Sequence, residues 1–194
     1  MLIRRESADD DAAIAAVHRS AFGPLYANGG ARYTLADADI AEMTGEVADG
    51  AADPPEVDLV ARLRSDEGWI PTLSFVAIEH DRVIGHVCLT RASVGPFPVL
   101  ALGPIGVVAE HQGNGVGAAL MHAALGAADA LDDPLVGLLG SLDYYPRFGF
   151  VHAARLGITP DEPAWVSHFQ VRRLAAYESQ IIGEFHYAEP FYEL

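Results

Sequence analysis

The sequence predicts a single α/β domain built on a mixed, largely antiparallel sheet flanked by helices. Two apolar runs, 73–79 and 83–90, are separated by only three residues, which is typical of a β-hairpin. A third apolar run, 98–108, leads through a glycine-rich stretch into a helical pattern over 115–130. No internal repeat or linker interrupts the chain, so we expect residues 1–194 to form one domain.

The first part of the chain predicts a strand followed by two helices. Residues 2–5 form a short run typical of a strand, and Ser7 is a suitable N-cap for the helix that follows. Gly23-Pro24 is expected to end this helix, because proline interrupts helical hydrogen bonding. A second helix is predicted over 55–65. Its apolar side consists of Val57, Leu59, Val60 and Leu63.

The C-terminal half predicts further strands around a tight turn. Residues 135–140 are wholly apolar, as in strands that are buried on both faces. The stretch DYYPRFGF, 143–150, predicts a short helical or turn element before another strand. Residues 168–174 predict a later strand, and an aromatic tail follows it.

Composition and charge narrow the classes of function. The net charge of −15 would repel nucleic-acid phosphates, so no nucleic-acid partner is expected. The sequence has no run of about 18 apolar residues and no N-terminal signal-peptide pattern, so we expect no membrane span and a cytoplasmic location. The lone Cys88 is expected to be a buried thiol. No metal site is predicted, because the histidines show no metal-ligand spacing.

A glycine-rich stretch lies where the strand over 98–108 gives way to a helix. Gly113, Gly115 and Gly117 occupy alternate positions there. A helix N-terminus carries unpaired N–H groups and a partial positive charge, and glycines let a ligand approach them, so this stretch predicts an anion site. A P-loop is excluded, since no Lys-Ser or Lys-Thr follows. A dinucleotide-binding turn, and with it an oxidoreductase, fits loosely through Gly113-x-Gly115-x-x-Ala118.

The pattern Gln112-x-x-Gly115-x-Gly117-Ala118 resembles the cofactor loop of the GNAT superfamily of acetyl-CoA-dependent N-acetyltransferases. The stretch YYPRFGF resembles the tyrosine-bearing element of that family, and the opening IRRESADDDAAIAAVHRSAFG resembles its first strand and helix. The resemblance covers nearly the whole chain except 25–54, which we interpret as an insertion. It is closest to a bacterial subgroup of acetyltransferases known by the YhbS name.

The resemblance implies direct transfer of an acetyl group from acetyl-CoA to a primary amine of a small molecule. The pantetheine arm would lie along the strand residues Ile105, Gly106, Val107 and Val108. The pyrophosphate would lie on the backbone of the loop residues Gln112, Gly113, Asn114, Gly115, Val116, Gly117 and Ala118. Tyr145, four residues before Gly149, is the expected general acid. Tyr144 is the competing assignment.

The sequence does not identify the general base or the acceptor. Side chains suitable by type are Glu79, His86, Glu110, His111 and Asp143, and a water chain would serve equally. Because no base is evident, a CoA-binding module without turnover is the alternative function. The insertion 25–54 and the aromatic tail at 185–192 are expected to cover the acceptor side of the cleft. A homodimer is an open alternative to a monomer.

Overall fold

A computed structural model of the chain describes residues 1–26 and 53–193. The helices are α1 (Asp11–Tyr26), α2 (Pro55–Ser65) and α3 (Val116–Ala130). The strands are β1 (Leu2–Arg5), β2 (Trp69–Glu79), β3 (Arg82–Val94), β4 (Phe97–Val107), β5 (Leu135–Leu139), β6 (Val151–His152), β7 (Ile158–Pro160), β8 (Phe169–Arg173) and β9 (Gly183–His186). In the described part of the chain the strands form one sheet.

The sheet confirms the predicted fold class. Its strand order is β1-β2-β3-β4-β5-β8-β6, and β9 pairs with both β3 and β7. Every pairing is antiparallel except β4 with β5 and β7 with β9. His80 and Asp81 connect β2 to β3 with positive φ angles of 48° and 59°, which is the backbone geometry of a tight hairpin turn.

The first helix does not end where the sequence predicts. α1 continues through Gly23 and Pro24 to Tyr26, because burial of Phe22 and Leu25 on either side outweighs the hydrogen bond that proline cannot make. The second helix has the predicted bounds. Residues 27–52, which hold most of the proposed insertion, lie outside the described residues. The single-domain organisation stays a prediction.

The two larger of three apolar clusters in the described residues lie on opposite faces of the sheet. Side chains alternate between faces along a strand, and along β4 the residues Leu100 and Leu102 belong to one core while Ala101 belongs to the other. The first core contains the buried face of α3. The second contains Leu59 and Leu63 of α2 together with side chains from the C-terminal tail. The sheet therefore separates α3 from α2 and the tail.

Candidate functional site

The parallel strands β4 and β5 separate soon after they pair. Their register contains only Leu100 opposite Val136 and Ala101 opposite Gly137. Pro104 then interrupts the strand, and it has no N–H to donate to a neighbour. From residue 102 onwards β4 pairs only with β3 among the described strands. Its other edge therefore presents backbone N–H and C=O groups to an opening between β4 and β5.

The four strand residues predicted to bind a cofactor lie beside this opening. Ile105 and Val107 are half-buried, whereas Gly106 is buried on the other face of the strand, and Val108, just beyond the end of β4, is buried in the core that contains α3. The face of Gly106 is covered by α1, since a Cβ placed on Gly106 would lie 2.9 Å from His18 Nδ1. Ile105 and Val107 are therefore the pair whose side chains can line the opening on the α3 side.

The glycine loop forms the end of the same opening. Gly113 and Gly115 have positive φ angles of 73° and 84°, which explains glycine at both positions. Across residues 1–26 and 53–193 no atom lies within 4 Å of a Cβ built on either one, and residues 112–115 are exposed. Gln112 Nε2 donates to the Val107 carbonyl over 3.0 Å, which ties the loop to β4. The first N–H groups of α3 follow directly, so the predicted strand and loop residues are brought together.

Tyr144 reaches the start of α3, where sequence considerations had not placed it. Its hydroxyl lies 2.9 Å from the position of a Cβ on Gly117. The guanidinium of the exposed Arg147 lies 4.8 Å from the centre of the Tyr144 ring. A phenol and a cation therefore lie beside the N-terminus of α3, in a chain whose net charge is −15. Both are suited to an anionic ligand at this position.

Tyr145 is more deeply placed than Tyr144. Its side chain is only 7% exposed, and its ring fills the space where a side chain on Gly140 would stand, just beyond the end of β5. Burial, and then the neighbouring phenol of Tyr144, raises the pKa of Tyr145 above its ordinary range. The phenol is therefore protonated at neutral pH, as a general acid must be.

The sequence pattern of the acetyltransferase (GNAT) family matches residues 44–150, which is more than half of the chain. The chain belongs to the GNAT family of acetyltransferases. It is also 37% identical, over 99 residues, to the uncharacterized N-acetyltransferase YjhQ of Escherichia coli (strain K12). That match covers 49% of this chain and 55% of YjhQ, so the chain spans about half of the length of this curated relative.

Two solved GNAT structures share the fold over 98% of this chain. One is YhbS from Escherichia coli in complex with CoA, with 26% identity, a TM-score of 0.77 and 91% of that chain covered. The other is a GNAT family acetyltransferase from Brucella melitensis in complex with acetyl-CoA, with 26% identity, a TM-score of 0.70 and 97% of that chain covered. The predicted resemblance to the GNAT family and to YhbS is confirmed.

The base candidates of this GNAT chain fall into different surroundings. Glu110 and Asp143 are exposed. His111 Nδ1 lies 3.6 Å from Glu79 Oε2, so these two form a partly exposed pair. Only His86 is fully buried, at 0% exposure. Its surroundings separate it from the other four candidates.

His86 is part of a buried polar network that begins just after β1. His86 Nδ1 lies 2.8 Å from His18 Nε2, and His86 Nε2 lies 3.2 Å from Glu6 Oε2. The Ser74 hydroxyl donates to the same Glu6 oxygen over 2.5 Å, and Arg64 Nε donates to Glu6 Oε1 over 3.0 Å. Burial opposes ionisation, but the hydrogen bonds from His86, Arg64 and Ser74 prevail and lower the pKa of Glu6 to about 2.

Glu6 is expected to make the stability of the fold depend on acid. Its folded pKa is about 2 against an ordinary 4.5, so its contribution is complete above pH 4.5 and is lost as the pH falls towards 2. Glu6→Gln should therefore destabilise the protein at pH 7 and flatten the decline in stability between pH 5 and 3. Urea unfolding across this range measures both effects. A variant whose free energy of unfolding falls as steeply between pH 5 and 3 as that of the wild type would contradict this role. Some decline should remain in both proteins, because Arg4 also lowers the pKa of Asp10.

A cluster of aromatic rings and one carboxylate lies in the C-terminal part of the chain. The Trp165 ring packs edge-on against Tyr187 at 5.4 Å and stacks on Tyr192 at 5.7 Å. Asp161 Oδ2 accepts from the Tyr192 hydroxyl over 2.5 Å and contacts His186 Nδ1 at 2.9 Å. Asp161 Oδ1 and the Tyr187 hydroxyl are buried and have no hydrogen-bond partner in the described residues. Buried polar atoms without partners are uncommon and call for a reason.

The C-terminal tail adjoins both sides of the opening. A Cβ on Gly103 of β4 would lie 3.8 Å from Phe191, and one on Gly137 of β5 would lie 2.5 Å from Phe185. Tyr187 packs between these rings, at 4.9 Å from Phe185 and 5.0 Å from Phe191. The tail belongs to the core opposite α3. The glycine loop and the aromatic cluster therefore approach the opening from opposite faces of the sheet.

Neither a membrane span nor a metal cluster is found in the described residues. Across residues 1–26 and 53–193, no helix combines the length and hydropathy that a bilayer crossing requires. The same ranges hold no group of three or more His, Cys, Asp or Glu side chains arranged to bind a metal ion. The cytoplasmic location stays a prediction.

Proposed function

We propose that this GNAT chain transfers an acetyl group from acetyl-CoA directly to a primary amine of a small molecule. The observation that carries the proposal is the opening between β4 and β5, which has an unpaired strand edge along one side and the start of α3 at its end. The CoA and acetyl-CoA complexes of two GNAT proteins with the same fold support a cofactor there. In this arrangement the chain brings two substrates together, so that transfer becomes intramolecular.

The cofactor would bind mainly through the backbone. Pantetheine would pair with the free edge of β4 along 105–108, and the pyrophosphate would accept from the first N–H groups of α3. A backbone N–H of β4 would stabilise the oxyanion that forms when the amine attacks the thioester. Tyr145 would then protonate the departing thiolate. Because the backbone rather than side chains would hold the cofactor, small residues suffice in the loop.

The aromatic cluster favours a cationic acceptor. Trp165, Tyr187 and Tyr192 bring several aromatic rings together, and the faces of such rings attract an ammonium group. Asp161 adds a carboxylate whose Oδ1 has no partner in the described chain. This cluster lies on the face opposite the glycine loop, so an amine bound near it would reach the thioester from the other side.

The experiment that tests the function is acetyl transfer to a panel of small primary amines by the wild-type chain. Asp161→Asn should raise the acceptor KM by roughly 10-fold, because it removes a charge that faces the ammonium group, and should leave the acetyl-CoA KM unchanged. Glu162→Gln is the matched control: Glu162 is adjacent but exposed, and among the described residues its carboxylate accepts from Ala164 N alone.

The outcomes separate the alternatives. A chain that binds acetyl-CoA but acetylates no amine in the panel is a CoA-binding module rather than an enzyme. Equal acceptor KM values for the two variants would contradict the assignment of Asp161 to the acceptor site, but not the proposed acetyl transfer.

A further inference from the structure

The buried network fixes the protonation pattern of two histidines. Glu6 is ionised and can only accept hydrogen bonds, so the proton between Glu6 and His86 is on His86 Nε2. Burial lowers the pKa of His86, so the ring is neutral and its Nδ1 carries a lone pair. His18 Nε2 lies 2.8 Å from that lone pair and must therefore be the donor. In a neutral His18 this leaves Nδ1 without a proton.

His18 Nδ1 is then a buried lone pair with no partner in the described chain. His18 is 0% exposed, and its ring stacks on Phe22 at 5.7 Å. The nitrogen faces Gly106, because a Cβ there would lie 2.9 Å away. Gly106 stands opposite His86 in the β3–β4 register and belongs to the strand segment to which we assign the cofactor. An unpaired acceptor thus lies against the backbone of the candidate cofactor strand.

We propose that His18 is the general base of the transfer reaction, with His86 and Glu6 as the positioning residues that keep its Nδ1 free of a proton. The inference rests on the proposed acetylation of an amine. The chain Glu6–His86–His18 works by the logic of a carboxylate–histidine pair, extended by one ring. Its carboxylate fixes the tautomer, while burial, and then the neighbouring His86 and Arg64, lower the pKa of His18, so that the ring is neutral and free to accept a proton at the start of the reaction.

Each proton in the transfer has a donor and a final acceptor. His18 Nδ1 takes one proton from the acceptor ammonium, directly or through one water, and the bonding electrons stay on the amine nitrogen. That nitrogen attacks the thioester carbonyl, and the carbon–sulfur bond breaks. The thiolate takes the proton of Tyr145, the remaining ammonium-type proton of the amide nitrogen restores the phenol, and the His18 imidazolium releases its proton to solvent.

Comparing two acceptors tests the base. A primary alkylamine must lose a proton before it attacks, whereas an alkoxyamine of the same skeleton is already neutral at pH 7. His18→Asn should lower kcat/KM for the alkylamine by about 100-fold and for the alkoxyamine by less than about 5-fold. Phe22→Leu is the matched control, since it disturbs the ring stacked on His18 but keeps the imidazole. This variant should change kcat/KM for the two acceptors to the same small extent.

The inference is overturned if His18→Asn lowers kcat/KM equally for the two acceptors, or lowers it for neither. If the wild type acetylates no amine, the proposed function itself fails, which is a different result. Nitrogen-15 NMR of the wild-type histidine rings gives a readout that needs no variant. We expect neutral rings protonated at Nε2 for both His18 and His86, and a proton on His18 Nδ1 would overturn the assignment. Glu6→Gln should weaken this tautomer preference.

Discussion

Gly117→Glu should abolish acetyl-CoA binding while the chain stays folded. Gly117 is the second residue of α3, where the pyrophosphate would accept from backbone N–H groups. A carboxylate there repels the phosphates and blocks close approach, so we expect the Kd for acetyl-CoA to rise by at least roughly 100-fold. The fold should survive, because a glutamate in the first helical turn interacts favourably with the helix dipole. Isothermal titration calorimetry measures the affinity.

The same helix provides the matched control. Gly126 lies nine positions further along α3 and is exposed, and a Cβ built on it has no atom of the described chain within 4 Å. Gly126→Glu should bind acetyl-CoA as the wild type does. Unchanged affinity in a folded Gly117→Glu variant would contradict the phosphate site at the start of α3.

A smaller change at Gly117 probes its contact with Tyr144. A Cβ at this position would lie 2.9 Å from the Tyr144 hydroxyl, so Gly117→Ala should displace that side chain and weaken binding. Adding Tyr144→Phe removes the hydroxyl and should restore part of the loss, if the loss is steric.

Tyr145→Phe should lower kcat by roughly 10- to 1,000-fold, the range expected when a general acid is lost. Acetyl-CoA affinity should be almost unchanged, because the aromatic ring remains against Gly140 and at 5.8 Å from Phe150. Burial raises the pKa of Tyr145, so its proton stays in place across the neutral range. The loss should therefore be the same at every pH from 6 to 9. Steady-state kinetics with saturating acetyl-CoA measure it.

Tyr144→Phe separates the two tyrosines. The Tyr144 hydroxyl lies beside Gly117, so its removal should weaken acetyl-CoA binding more than it lowers kcat. The opposite pattern, with a fully active Tyr145→Phe and a slow Tyr144→Phe, would assign the general acid to Tyr144.

Local patterns in the sequence were sufficient for the fold class and for the geometry of the glycine loop. The hairpin of β2 and β3, the helix α3 and the glycines at 113 and 115 each depend on nearby residues, through periodicity or backbone geometry. The family was likewise recognisable from a contiguous loop and a contiguous tyrosine element. The predicted end of α1 at Gly23-Pro24 is wrong by a few residues, because burial against distant parts of the chain outweighs this local stop signal.

Only the tertiary structure decided which polar groups meet. Glu6, His18 and His86 are separated by 12 and 68 residues along the chain, yet they join through hydrogen bonds of 2.8 and 3.2 Å. Nothing in the sequence around His18 distinguishes it from a surface histidine on a helix. Packing of α1 onto β3 and β4 buries it, and the missing side chain of Gly106 makes room for its ring. Burial by residues distant in sequence leaves no signal in the neighbouring residues. A glycine turn does leave one, because the turn's own backbone angles require the glycine.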